Sequence, residues 1–256
     1  MRSARSRPDD EARGRRGGVS PALPAPDVES SSDDYARRFA GAIGAWFLER
    51  QAKGVISLLE PLGPCRVLEV GGGHAQLTAA LVDAGHTVTV QGSDESCAAR
   101  VRRLFTKDRV PFVACPLDRL PFEPGSFDAI VTTRMMAHVD DPARFLAECA
   151  RVARRAVLVD YPSRRSVNCF ADLLFTWKRG VEHDTRVYRT FVDREVRDAF
   201  AAHGLHAAGA VRQFFWPMAL HRAHTHPRVG DALELPARVL LWTRAFGSPV
   251  LALYRR

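Results

Sequence analysis

Lysine is almost missing from this chain. Of its 37 basic residues only Lys53, Lys107 and Lys178 are lysine, so the formal charge of +8 rests on arginine. Those arginines are scattered, many beside acids on helical faces, rather than gathered with interleaved aromatics. That is not the stripe that neutralises phosphates and stacks bases, so nucleic acid is not the expected partner. The five cysteines (Cys65, Cys97, Cys115, Cys149, Cys169) are odd in number and widely spaced, with no C-x-x-C pair. Neither a disulfide framework nor a zinc cluster follows; buried reduced thiols do. No apolar run approaches the roughly 18 residues that cross a bilayer. The first residues lack an apolar stretch, against a secretory signal, and Asp9, Asp10 and Glu11 argue against a transit peptide, so a cytoplasmic location is expected.

What is present is an ordinary globular composition, 46% apolar and 26% charged, in a length suited to one α/β domain. Residues 1–33 are rich in Arg, Pro, Gly, Ser and Asp and bury too little to offset ordering entropy; a disordered tail is expected there. From 34 to 62 the apolar residues recur at helical intervals (Phe39, Ile43, Trp46, Phe47, then Val55, Ile56, Leu58, Leu59), and Gly44 and Gly54 are expected to break the stripe into two helices. Five strand-like runs then alternate with helices between 63 and 161: Arg66–Val70, Thr87–Gln91, Pro111–Ala114, Phe127–Thr132 and Ala156–Asp160. Pro142–Arg155 is the strongest amphipathic helix, burying Phe145, Leu146, Cys149 and Val152. Such alternation implies βαβ units and a doubly wound, mostly parallel sheet. In 162–256, Asp193–His203 reads as a helix, and Ala208–Phe215 and Pro249–Tyr254 as closing strands. Between those strands 217–247 forms a helical insertion, with Leu235–Phe246 its expected helix.

The informative segment is Val67-Leu68-Glu69-Val70-Gly71-Gly72-Gly73-His74-Ala75. A buried strand enters a turn that needs positive φ and no Cβ, and a helix begins whose amides point back at a ligand. A dinucleotide fingerprint fits Gly71 and Gly73 but places Gln76 where its third glycine belongs. Three further signals follow in order. Asp94-Glu95-Ser96 comes after the second strand, Asp118-Arg119-Leu120-Pro121-Phe122 after the third, and Ser126-Phe127-Asp128-Ala129-Ile130-Val131 leads into a loop carrying His138-Val139-Asp140-Asp141.

Taken in order these motifs resemble the class I S-adenosylmethionine-dependent methyltransferases, in their ubiquinone-biosynthesis-like branch. The resemblance runs from about Cys65 to Tyr161. It implies a Rossmann-like, doubly wound seven-stranded sheet, mostly parallel with the last strand antiparallel, under an N-terminal helical lid and with a helical insertion before the last strand. It implies S-adenosylmethionine as cofactor. Glu69, Gly71, Gly72 and Gly73 would hold its methionine end, and Asp94 its ribose, although the acid lies a residue or two further from the strand than usual, so that Glu95 or Gln91 could replace it. Asp118, Arg119 and Leu120 would bind the adenine edge, Arg134 would join the cofactor contacts, and His138 would be the general base if one is needed.

Other groups carry weaker expectations. His183, Asp184 and Tyr188 fall where relatives line a substrate pocket. His221, His224 and His226 read as a polar loop, and no metal is expected. Tyr35, Phe39 and Trp46 are either a lid or plain core, and Phe214-Phe215-Trp216-Pro217-Met218 either a substrate wall or packing. The expected function is methyl transfer to a small molecule. Rival readings are a nucleic-acid or protein methyltransferase, disfavoured because Thr132-Thr133-Arg134-Met135 stands where an N-P-P-Y tetrapeptide would, and a cofactor-binding subunit without activity. A nicotinamide oxidoreductase is more distant.

Overall fold

The computed structural model describes residues 25–166, 188–224 and 226–256. Seven strands form one sheet: β1 Arg66–Val70, β2 Thr87–Gly92, β3 Phe112–Ala114, β4 Phe127–Thr132, β5 Ala153–Tyr161, β6 His206–Phe214 and β7 Ser248–Arg255. Their spatial order is β3-β2-β1-β4-β5-β7-β6. The first five strands run parallel, and β7 is antiparallel to both β5 and β6. The architecture expected from the alternation of strands and helices is present.

Strand parity assigns the two faces. Leu68, Val70, Ile130, Val157 and Val159 point to one side, where they pack with Phe145, Leu146 and Cys149 of α6 (Pro142–Val152) and Val196 and Phe200 of α7 (Asp193–Ala201). Val67, Val88, Val90, Ala129, Val131 and Leu158 point to the other side. That face is covered by α3 (Gly41–Leu59), α4 (Thr78–Asp83) and α5 (Ala98–Leu104). Helix α6 starts at Pro142 with Asp141 as its cap, whose Oδ1 accepts from Arg144 N–H at 3.0 Å.

Among the boundaries that differ from the sequence reading, three bear on the walls of the site. The stripe from 41 to 59 is one unbroken helix, not two. Gly54 does not interrupt it because its missing side chain is where β7 approaches: a Cβ there would lie 2.6 Å from Leu251 Cδ1. The insertion holds α8 (Met218–Arg222), α9 (Pro227–Val239) and α10 (Trp242–Phe246), so the helix expected at Leu235–Phe246 is two helices meeting at Leu241, whose φ is +59°. The tail expected to be disordered through residue 33 is helical from Pro26: α1 (Pro26–Ser30) and the start of α2 (Asp33–Arg37) lie in it. Pro26 at the first helical position and Asp27 and Glu29 in the first turn are start signals that bulk composition hid. Residues 1–24, and with them the rest of that expectation, lie outside the described residues, as do Cys169, His183 and Asp184.

Candidate cofactor crevice and adjoining cavity

The strand order reverses between β1 and β4, and their carboxyl ends open a crevice there. Register brings its walls together: Val70 faces Gln91 of β2 on one side and Thr132 of β4 on the other. After Val70 the chain turns at Gly71 with φ +71°, and a 3-10 turn, Gly72–His74, precedes α4. A Cβ on Gly71 would stand 2.6 Å from Met135 Sδ, so both the conformation and the close approach require glycine. Gly71 N–H donates to Gln91 Oε1 at 3.1 Å, and Gln91 Nε2 donates to the Cys115 carbonyl at 2.6 Å. Gln91, one of three alternatives for reading a ribose, is thus a strut that fixes the turn.

Glu69 shares its strand face with Val67 and is buried. Thr78 Oγ donates to its Oε2 at 2.7 Å. Burial pushes the carboxyl up to about 7, against the opposing pull of the Thr78 hydroxyl and the Arg134 guanidinium. His74 is buried as well, and desolvation holds it well below the usual histidine range, so the turn carries a neutral imidazole. Its Nδ1 accepts from Gln76 N–H at 3.1 Å.

Arg134 follows β4 with φ +63°, a conformation that side chains rarely adopt. Its amide donates to Asp160 Oδ1 at 2.6 Å, and Gln51 of α3 donates to Asp160 Oδ2 at 3.2 Å. These contacts hold the strained residue in place. Desolvation raises the buried Asp160 carboxyl to about 6, even with the Arg134 amide and guanidinium favouring its charged form. The Arg134 side chain reaches Gln76 Oε1 in the glycine turn and lies over the Phe39 ring, 4.9 Å from its centroid. It therefore spans the crevice and the cavity beside it.

That cavity has a volume of about 230 Å³, and its walls include Phe39, Phe47, Arg134, His138, Tyr188 and Phe214. The His138 and Tyr188 rings meet edge to face at 5.7 Å. Tyr35, Phe39 and Met218 also line it, whereas Trp46 packs into a buried cluster with Phe47 and Phe214. The aromatic groups offered as lid or core are thus divided between the two.

Three of the other residues expected at the cofactor are engaged by partners within the protein. Asp94 is exposed and caps the 3-10 turn Glu95–Cys97, accepting from Ser96 N–H at 2.8 Å; the Ser96 hydroxyl first, and then that amide, hold its carboxyl below the usual range. Glu95 pairs with Arg102 at the surface. Asp118 pairs with Arg144 of α6 at 3.0 Å. Arg119 is exposed, and the Leu120 amide donates to Glu148 at 2.7 Å while Arg151 binds the Leu120 and Phe122 carbonyls. The Leu-Pro-Phe turn is thereby fastened to α6, a role that pattern alone did not reveal.

The carboxylate that does reach the end of β2 comes from α1. Asp27 has no accessible surface; its oxygens accept from Ser93 N–H and Ser93 Oγ–H, both at 2.5 Å, and from the Cys97 thiol at 3.8 Å. Ser31, just beyond α1, places its hydroxyl where a Cβ on Gly73 would be. Helix α1 therefore lies across both the glycine turn and the β2 terminus. One histidine of the insertion has a structural partner. His221 is buried with Nε2 2.9 Å from Glu234 Oε1, and Glu234 also accepts from the Phe215 and Trp216 amides at 2.9 and 3.1 Å.

Residues 68–159 match the family model described as a methyltransferase domain. A "Probable S-adenosylmethionine-dependent methyltransferase" of Mycobacterium tuberculosis is 33% identical over 122 residues, covering 46% of this chain and 43% of that protein. A ubiquinone biosynthesis O-methyltransferase of Bordetella parapertussis is 35% identical over 92 residues, covering 35% and 38%. The matched segment thus spans less than half the length of these curated relatives. Among solved structures, the magnesium protoporphyrin IX methyltransferase of Synechocystis PCC 6803 superposes with a TM-score of 0.60 over 87% of this chain and 93% of its own, at 14% identity, a likeness of fold. With the glycine turn, its buried acid and the β3-β2-β1-β4-β5-β7-β6 order in place, residues 68–159 are a methyltransferase domain similar to those of S-adenosylmethionine-dependent methyltransferases.

Proposed function

We propose that the chain transfers a methyl group from S-adenosylmethionine to a small-molecule acceptor seated in the cavity beside the crevice. The observation that carries this reading is the position and size of that cavity. It adjoins the glycine turn through Arg134, is covered by α2, α3 and α8, and holds about 230 Å³, the scale of a small organic molecule rather than a polymer segment. A relative named for ubiquinone biosynthesis supports an acceptor of that kind.

The crevice fits the cofactor. Glu69 Oε1 and the hydroxyls of Thr132 and Thr133 are buried without a hydrogen-bond partner, and a buried polar atom left so costs free energy until something binds it. Glu69 and the amides of the Gly71–Gly73 turn would hold the methionine end, Arg134 the carboxylate of that end, and Asp94, exposed beyond β2, the ribose hydroxyls. When bound, the cofactor supplies an electrophilic methyl group open to in-line displacement. The chain's own work is alignment and exclusion of water. Phe39, Phe47 and Phe214 confine the acceptor, Arg134 fixes the geometry between the two compartments, and His138 accepts the proton that a hydroxyl or activated carbon sheds.

The test is transfer of labelled methyl into a cell extract divided by dialysis. Label is expected in the dialysable fraction; label confined to protein or RNA would overturn the small-molecule reading. With an acceptor in hand, His138→Ala should lower turnover about 100-fold while leaving affinity for S-adenosylhomocysteine unchanged.

Glu69 makes that affinity depend on pH. Its carboxyl is raised to about 7 in the unliganded fold, so below pH 7 it is protonated and presents no charge to the ligand's ammonium group. Affinity for S-adenosylhomocysteine should therefore weaken on acidification through pH 7, approaching about tenfold per pH unit, with proton release on binding. Stability of the unliganded fold runs the other way: the contribution from the raised Glu69 is complete below 4.5 and lost as pH rises through about 7. Calorimetry in two buffers of different ionisation enthalpy reads both the slope and the proton; a flat profile from pH 6 to 8 would remove Glu69 from the site.

A further inference from the structure

Outside the site, the insertion carries an apolar face that is largely exposed among the described residues. Along α9 the residues Gly230, Glu234 and Ala237 are buried at helical spacing, as a covering helix requires. The opposite side should then be polar, yet it holds Leu235 and Val239, one turn apart. The chain continues through Leu240 and Leu241 into Trp242 and Phe246 of α10. All six are between 42 and 69% exposed. The left-handed corner at Leu241 turns this leucine pair and Trp242 outward together. Trp242 continues inward onto Phe215, with ring centroids 5.8 Å apart, and Trp216 meets Phe215 edge to face at 5.1 Å. A contiguous exposed apolar patch of this kind marks an interaction surface.

Charge indicates its partner. The insertion from Met218 to Gly247 has two acids, and both are engaged: Glu234 is buried against His221 and two amides, and Asp231 binds Arg50 and Trp46. From Leu235 to Gly247 there is none. Arg222, Arg228 and Arg244 are exposed on the same insertion, and none pairs with a carboxylate among the described residues. A second copy would bring the same uncompensated arginines face to face. Leucine, tryptophan and phenylalanine at the centre with arginines around them match a bilayer surface bearing anionic headgroups, the apolar side chains entering the acyl boundary and the guanidinium groups meeting phosphates.

We infer that α9 and α10 dock the protein peripherally on an anionic membrane surface. Net charge alone would bring the protein weakly to such a surface, so the discriminating variant removes apolarity and keeps charge. The full chain is mixed with phosphatidylcholine vesicles with or without phosphatidylglycerol and sedimented, and tryptophan emission is recorded. Wild type is expected to bind the mixed vesicles at least tenfold more tightly than the neutral ones, with a blue shift in emission. The triple variant Leu240→Ser, Leu241→Ser, Trp242→Ser should lose at least tenfold on the mixed vesicles, and Arg244→Ser a smaller, salt-dependent part. Unchanged S-adenosylhomocysteine binding and melting temperature show that the variants are folded. If the triple variant binds as wild type does, or if wild type sediments as a dimer that the triple variant abolishes, the membrane assignment is wrong.

Discussion

Gly71→Arg is expected to abolish S-adenosylhomocysteine binding. Wild type should bind in the micromolar range, about 8 kcal/mol. At position 71 the backbone has φ +71°, and the first atom of any side chain would stand 2.6 Å from Met135 Sδ. An arginine must therefore displace the buried Met135 or project into the space where the turn amides face a ligand. Either outcome should cost at least 100-fold, about 2.7 kcal/mol. The same titration on Asp27→Asn should show a smaller loss, about tenfold, because an amide holds Ser93 at the end of β2 without charge assistance and so loosens α1 over the turn. Calorimetry at fixed pH checks both, with circular dichroism to show that the sheet persists. Undiminished binding by Gly71→Arg would mean that the ligand lies elsewhere.

The largest effect on stability is expected far from the crevice, at Glu234. Its carboxylate is fully buried and accepts from the Phe215 amide, the Trp216 amide and His221. Glu234→Ala removes the acceptor of all three and leaves the donors in an apolar surround of Trp46, Phe47 and Phe214. Loss of one member of such a buried set costs about 3–5 kcal/mol, roughly a 10 °C fall in melting temperature for a domain of this size. Glu234→Gln keeps an acceptor oxygen for the amides and should recover more than half of the loss. A calorimetric scan in which the alanine variant melts within about 2 °C of wild type would show that the network contributes little to stability.

Much of the fold could be read from residue order, because strand identity depends on local alternation. β1 and β4 were placed to the residue, since each is a short apolar run ended by a glycine turn or announced by Pro124-Gly125. The glycine turn was legible for a related reason: its chemistry lies in the backbone, and the sequence states directly where Cβ atoms are absent. Side chains acting at a distance were not legible. Asp27 and Ser93 are 66 residues apart, and nothing local marks Asp27 as the acid that reaches β2. Asp94 carried the expected motif, and local geometry gives it a further task, capping the turn that it begins. The partner of the Leu120 amide is equally hidden, since Glu148 takes it from a helix 28 positions later. Gly54 misled in the opposite direction. A helix propensity of about 1 kcal/mol against glycine is small beside the packing gained when α3 closes onto Leu251.

The unbroken α3 separates two kinds of wall around the cavity. One rod runs from Phe47 and Gln51 at the cavity to Leu59 under the sheet, clamped at Gly54, so the rear wall of the chamber cannot yield without disturbing the core. The front is built differently. Helices α1 and α2 are one turn each, and α2 has no buried residue. They are tied down by ionic and hydrogen-bonded contacts: Asp27 to Ser93, Asp33 to Arg100 and Arg103, Glu29 to Arg38. Traffic in and out of the chamber thus meets a rigid frame on one side and an electrostatic latch on the other. Ionic strength, which leaves the frame untouched, acts directly on the latch.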